Sequence, residues 1–133
     1  MTLATADGDG TPWASPVWFA HEGYSEFIWA SKPEARHSVN VAARPQIGIV
    51  IFDSTVPEGE ARAVYVEASA ERLDEDQVDR AIAVFSRRSV AQGVEPWTPD
   101  DVAPPRPHRL YRATASAHFL LDGDDTRTPV QLA

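Results

Sequence analysis

The stretch FIWASKPEARHSVN, residues 27–40, decides how this chain is read. Apolar Phe27, Ile28 and Trp29 make a strand that ends on two small residues, Ala30 and Ser31. Lys32-Pro33 turns the chain, and a helix opens around Glu34–Ser38. The first N–H groups of a helix have no acceptor within the helix. Here they stand beside a guanidinium (Arg36), an imidazole (His37) and a hydroxyl, a donor set that suits a phosphate.

Working outward, Ala35, Val39 and Ala43 recur at helical spacing and mark an apolar stripe on a helix over 35–44, which Pro45 ends. QIGIVIFD, residues 46–53, is nearly all apolar and β-branched, so it is expected as a strand buried on both faces. Upstream, Leu3–Ala6 reads as a strand and Asp7-Gly8-Asp9-Gly10 as a turn. Pro12–Ala20 then reads as a second strand that completes a hairpin. Pro12 and Pro16 cannot donate ladder hydrogen bonds, so this strand is expected at an edge or with a bulge that frees amides near Ser15 and Val17. Ser25–Ala30 is the third strand.

Downstream, Glu60–Leu73 alternates, with Val64, Val66 and Ala68 on one face and Tyr65, Glu67 and Ser69 on the other. Asp74–Arg88 is the clearest helix, with Gln77 at capping-box spacing from Asp74 and a stripe of Val78, Ile82 and Phe85. The proline-rich stretch 92–107 is expected as an irregular connection or lid. Arg109–Leu121 is a long closing strand, Gly123–Thr128 a polar turn, and Val130–Ala133 a last short strand or tail. Six or seven short strands joined by tight turns, with two or three helices, favour a closed or partly closed antiparallel barrel.

The 133 residues suit a single domain over 1–133, with a core small enough that dimerisation would usefully bury more surface. There is no cysteine, which removes disulfides and thiolate chemistry and fits a cytoplasmic protein. No apolar run is long enough to span a bilayer, and no basic segment leads into an apolar one as in a signal peptide. The formal net charge of -8 disfavours nucleic acid and anionic lipid as partners. An anionic ligand must therefore meet a local basic pocket, and eleven of the twelve basic residues are arginine.

Other chemistries find no support in the residues. There is no GxSxG, no P-loop and no GxGxxG. The four histidines at 21, 37, 108 and 118 have no metal-ligand spacing, so no metal site is expected. DGDGT at 7–11 lacks the last ligand of a calcium loop and reads as a hairpin turn.

The order LATADGDGTPWASPVWF, FIWASKPEARHSVNVAARPQIGIVIFD, AVYVEASAERL, from Leu3 to about Leu73, resembles the pyridoxamine 5'-phosphate oxidase-like proteins, the FMN-binding split β-barrels. RLYR at 109–112 extends the likeness weakly. The resemblance implies a homodimer with two FMN sites at the subunit interface. It implies that the flavin ring lies against Ala14, Ser15, Pro16 and Val17, and that Trp29, Ala30 and Ser31 meet the ring edge and ribityl chain. An Arg-Lys pair holds the phosphate in the family, and Arg36-His37 stands in its place here. A histidine is only partly charged near neutral pH. Asn40 and Tyr65 are further candidate contacts, as are Trp13, Trp18 and Arg62.

Flavin-dependent redox chemistry on a small molecule is the expected activity, with catalytic side chains unassigned. The departure at His37 leaves room for a deazaflavin coenzyme, whose acidic tail would also seek Arg36. A non-enzymatic dimer holding a flavin or haem is the alternative from another class. The family's usual helix before its first strand is not seen, since the sequence opens on that strand. No Trp…Arg segment of the kind that reads the substrate phosphate follows His118-Phe119, so oxidation of vitamin B6 itself is not expected.

Overall fold

The computed structural model describes residues 1–121 and 123–132. It is an eight-stranded, wholly antiparallel sheet with two α-helices, in the order β1 (Thr2–Ala6), β2 (Pro12–Pro16), β3 (Ala20–Glu22), β4 (Glu26–Ser31), α1 (Arg36–Ala43), β5 (Gln46–Phe52), β6 (Ala63–Arg72), α2 (Glu75–Ala91), β7 (Arg109–Leu121) and β8 (Arg127–Val130). A 3-10 turn at Pro99–Val102 lies within the proline-rich connection. Strands run β2-β1-β5-β6-β7-β4-β3, and β8 pairs the far end of β7.

The expected second strand is two. Pro12–Pro16 pairs β1, and Ala20–Glu22 pairs β4, so the halves lie at opposite edges of the sheet. Pro16 is where the first half stops. Val17, Trp18 and Phe19 join the two, and three residues reach only roughly 10 Å. The sheet must therefore curl until its edges nearly meet, without hydrogen bonds closing the seam. This is a split barrel, with one more strand than expected from that division. The last strand is Arg127–Val130, which takes in part of the stretch read as a polar turn. Ala133 lies outside the described residues.

The curl is assisted at β7. Register slips between Glu67 and Ala68 of β6, leaving Ser116 unpaired, and the Ser116 hydroxyl donates to the Glu67 carbonyl at 3.1 Å. The first half of β7 faces β4 and the second half faces β8. Inside the barrel, Leu3, Phe27, Trp29, Ile47, Ile49, Val66, Tyr111 and Ala113 form the main core. A second core lies under α2, where Ile82 and Phe85 pack on Ile28 and Leu110. The Gln77 side chain accepts from the Asp74 N–H at 3.2 Å, the reach expected of its capping position.

Two local expectations are corrected. β5 is not buried on both faces: Ile47 and Ile49 are enclosed, but Phe52 is 56% exposed and Gly48, Val50 and Ile51 are half-open. Among the described residues no element covers its outer face. The stripe Ala35–Val39–Ala43 on α1 does not point inward either. Val39 is 54% exposed, while Ser38, Asn40 and Val41 are buried. The helix docks through Val41, which enters the barrel core, and through the Asn40 bond to β1, while the expected stripe is left outside. Among the described residues no helix is long and apolar enough to cross a membrane.

Candidate functional site

β4 ends at Ser31, and the turn through Lys32-Pro33 delivers α1 directly beside it. The Ser31 hydroxyl and His37 Nε2 are 2.7 Å apart. His37 is half-buried, and burial lowers its pKa below the usual histidine value, so the ring is neutral near pH 7. Arg36 is exposed, and its guanidinium lies 4.3 Å above the Trp13 ring centroid. No carboxylate pairs with it among the described residues. The first turn of α1 has no side-chain cap and no acidic residue. These groups make a corner rich in donors.

Asn40 sits behind this corner, 2% exposed. Its side-chain amide donates to Thr5 Oγ1 at 3.0 Å, and Thr5 donates to the Trp13 carbonyl at 3.2 Å. The chain of bonds fixes α1 to the β1–β2 hairpin and sets where Arg36 meets Trp13. Asn40 thus ties the helix to the hairpin. Arg44 adds a bond to the Gly8 carbonyl at 2.7 Å. In the same hairpin Asp7 Oδ1 accepts from the N–H groups of Asp9 and Thr11, as a turn and not a calcium loop requires.

The other expected residues divide by face. Ser15 points inward opposite Leu3 and is buried, whereas Ala14 and Pro16 are exposed on the outer face. Register places Pro16, Thr2, Val50 and Tyr65 in one cross-strand row of that face. Val17 N–H continues the hairpin ladder to the Met1 carbonyl at 2.9 Å, so its amide is not free. Tyr65 has the Arg127 guanidinium 4.6 Å over its ring. Trp29 is fully buried and stacked on Tyr111 at 5.7 Å, and Ala30 packs against the second core. β3 covers β4 only from Glu26 to Ile28, and no described strand covers the same edge from Trp29 to Ser31. Arg62 is exposed in the loop before β6, and Trp97 is half-buried against Phe85.

An open groove of about 270 Å³ lies at the β2-β1-β5 end of the sheet, lined by Met1, Thr2, Pro16–Trp18 and Val50–Phe52. From Trp13, under Arg36, to Pro16 at the groove is three residues of strand, about 10 Å. An odd separation sends the Trp13 and Pro16 side chains to opposite faces, so the corner and the groove share a strand but not a face.

Two contributors, Thr5 and Arg88, were not legible beforehand. Thr5 is buried beside the corner, as is Ser38, the hydroxyl expected at the helix start, which has no partner among the described residues. Arg88, near the end of α2, brings its guanidinium 4.6 Å over Phe19 and 5.5 Å over Trp18, next to the groove. Nothing in sequence spacing links α2 to residues 18 and 19. Burial, and then Arg88, lower the pKa of nearby His21.

A search of curated protein sequences finds no match. Solved structures do match. HutZ, the haem storage protein from Vibrio cholerae, is 21% identical with a TM-score of 0.70, over 89% of this chain and 82% of that one. A haem-binding protein from Mycobacterium smegmatis is 20% identical with a TM-score of 0.72, over 98% of this chain and 51% of that one, so this chain spans about half its length. An F420 reductase is 20% identical with a TM-score of 0.62, over 88% and 86%. At these identities the likeness is one of fold. The family model for pyridoxamine 5'-phosphate oxidase matches residues 1–120. With that match over nearly its whole length, the chain belongs to the pyridoxamine 5'-phosphate oxidase family.

Proposed function

We propose that this chain binds FMN between two copies of itself and serves flavin-dependent redox chemistry on a small molecule. The observation that carries the reading is the donor corner. Arg36 has no carboxylate partner, the first turn of α1 is uncapped, and the Ser31–His37 pair stands beside the uncovered end of β4. Such a donor set fits a phosphate monoester. Arg36 would supply the fixed positive charge, and Ser31 and His37 the adjoining hydrogen bonds. The strand from Ala14 to Val17 would lie along the ring, with the backbone of Trp29–Ser31 at its edge. When bound, the flavin supplies the electron-transfer chemistry, and the protein orients it and limits water.

Pairing of two copies is supported by apolar surface left open on one. Trp13, Trp18, Val39 and Phe52 are each more than 40% exposed, and the groove is open to solvent. A second copy would cover the outer face of β5 and complete the groove.

A second reading keeps the fold and changes the ligand. His37 stands where the family's FMN clamp has a lysine, and the structural neighbours include proteins described as an F420 reductase and as haem-binding. A deazaflavin tail would use the same Arg36. Parallel titrations with FMN, deazaflavin coenzyme and haem separate these readings. FMN is expected to bind most tightly, and a clear preference for either other ligand would replace it.

A further inference from the structure

We propose that the Ser31–His37 pair couples cofactor binding to the uptake of one proton, so that His37 sets which flavin is held and at what pH. The inference rests on the flavin reading above and concerns only this chain's own residues. It begins from the 2.7 Å contact between the Ser31 hydroxyl and His37 Nε2, at the mouth of a helix whose first turn is uncapped. A lysine at position 37 would carry its charge whether or not a ligand were present. A half-buried imidazole does not.

In the empty corner the ring is neutral. With its proton on Nδ1, Nε2 accepts the Ser31 hydroxyl proton and the serine has no donor left for a ligand. A phosphate dianion placed beside Arg36 favours the imidazolium. Both ring nitrogens then donate. Nε2 donates to Ser31 Oγ, and the serine hydroxyl proton is released to a phosphate oxygen. One proton enters from solvent, no covalent bond changes, and the corner gains a charge and a donor together. Riboflavin, which lacks the phosphate, gains neither.

The surroundings leave this equilibrium to the ligand. Charged groups on the elements around His37 are Lys32 and Glu34 in the turn, Arg36 on α1 and Arg44 at its end, Asp7 and Asp9 after β1, Glu67, Glu71 and Arg72 on β6, and Arg109 on β7 opposite Ser31. None forms an ion pair with His37 among the described residues. Arg109 donates to the carbonyls of Arg106 and His108 at 2.6 Å, and Glu71 is held by Arg112. Burial is what holds the ring neutral.

The test is the affinity for FMN and for riboflavin, read by quenching of flavin fluorescence from pH 6 to 8.5. Wild type is compared with His37→Lys and His37→Gln. Between pH 7 and 8 the phosphate of FMN is already dianionic, its second pKa being about 6. The FMN dissociation constant of wild type is expected to rise by several-fold across that interval, up to the tenfold limit for one proton. His37→Lys should bind tightly with no such slope, His37→Gln weakly with none, and riboflavin should show none with any of the three. Histidine NMR, with the His37 signal assigned by its loss in the glutamine variant, should show the His37 pKa raised when FMN is added. A flat wild-type profile, or the same slope in His37→Gln, overturns the proposal while leaving FMN binding intact. Failure of FMN to bind even at pH 6 overturns the flavin reading and this proposal with it.

Discussion

Replacing Arg36 by alanine separates the ligand role of the corner from its structural role. The guanidinium is exposed and has one contact of note, the face of Trp13 at 4.3 Å, so its loss removes an exposed cation–π contact of about 0.5–1 kcal/mol. Toward a bound phosphate it would make charge-assisted hydrogen bonds, about 1.5–3 kcal/mol at a site of this kind. At about 1.4 kcal/mol per factor of ten, that is a roughly 10- to 150-fold weaker FMN affinity. Arg36→Ala should therefore lose FMN affinity by that factor in a fluorescence titration, while its urea midpoint moves by the equivalent of less than about 1 kcal/mol. Arg36→Lys, which keeps the charge and loses the bidentate fork, should fall between. Equal FMN affinity in Arg36→Ala and wild type would refute the reasoning. A large loss of stability would show the residue to be a structural clamp instead.

Three further outcomes follow from the same geometry. Asn40→Ala leaves the buried Thr5 hydroxyl without its donor and should cost about 1–3 kcal/mol in denaturant unfolding; an unchanged midpoint would mean that the chain of bonds to β1 does not hold α1. Phe52→Glu together with Val39→Glu places charges on the open apolar faces of β5 and α1 and should shift sedimentation from dimer to monomer without unfolding; a monomeric wild type would contradict the pairing. His21 and His37 both have pKa values lowered by burial, so near and below the ordinary value of 6.5 the unfolded chain binds more protons than the folded one. Their contribution to stability is present above that value and is lost as pH falls through the folded pKa values. Denaturation midpoints should drop between pH 7.5 and 5.5, and less so in the double glutamine variant; identical profiles would contradict the assignment.

Much of the fold could be read from local signals. Alternation placed β6, turn chemistry placed the β1–β2 hairpin, and the Asp74–Gln77 cap with the Val78–Ile82–Phe85 stripe placed α2. What failed was knowledge of where a strand goes. Pro12–Ala20 looks continuous, yet Pro16 hands the chain from one edge of the sheet to the other, a decision made by curvature summed over the whole sheet. The α1 stripe misled because three small apolar residues at helical spacing bury little. Val41, which enters the barrel core, and the Asn40–Thr5 bond, between residues 35 apart, set the buried face instead, and no local pattern encodes that bond. In the candidate site, Arg36, His37 and Ser31 were legible because helix-start chemistry is local. The stacking of Arg36 on Trp13 and the approach of Arg88 to Trp18 depend on tertiary packing and were not. Trp29 illustrates the limit within a single strand: its position next to Ser31 is local information, but its burial against Tyr111 is not.

The central claim is that the corner at the start of α1 receives a flavin phosphate. Its most direct measurement is an absorbance spectrum of the protein mixed with excess FMN and passed over a gel-filtration column. The account predicts a yellow protein peak at the mass of a dimer, with a shifted flavin band and one flavin per chain. Flavin eluting wholly apart from the protein, with its spectrum unchanged, would contradict it.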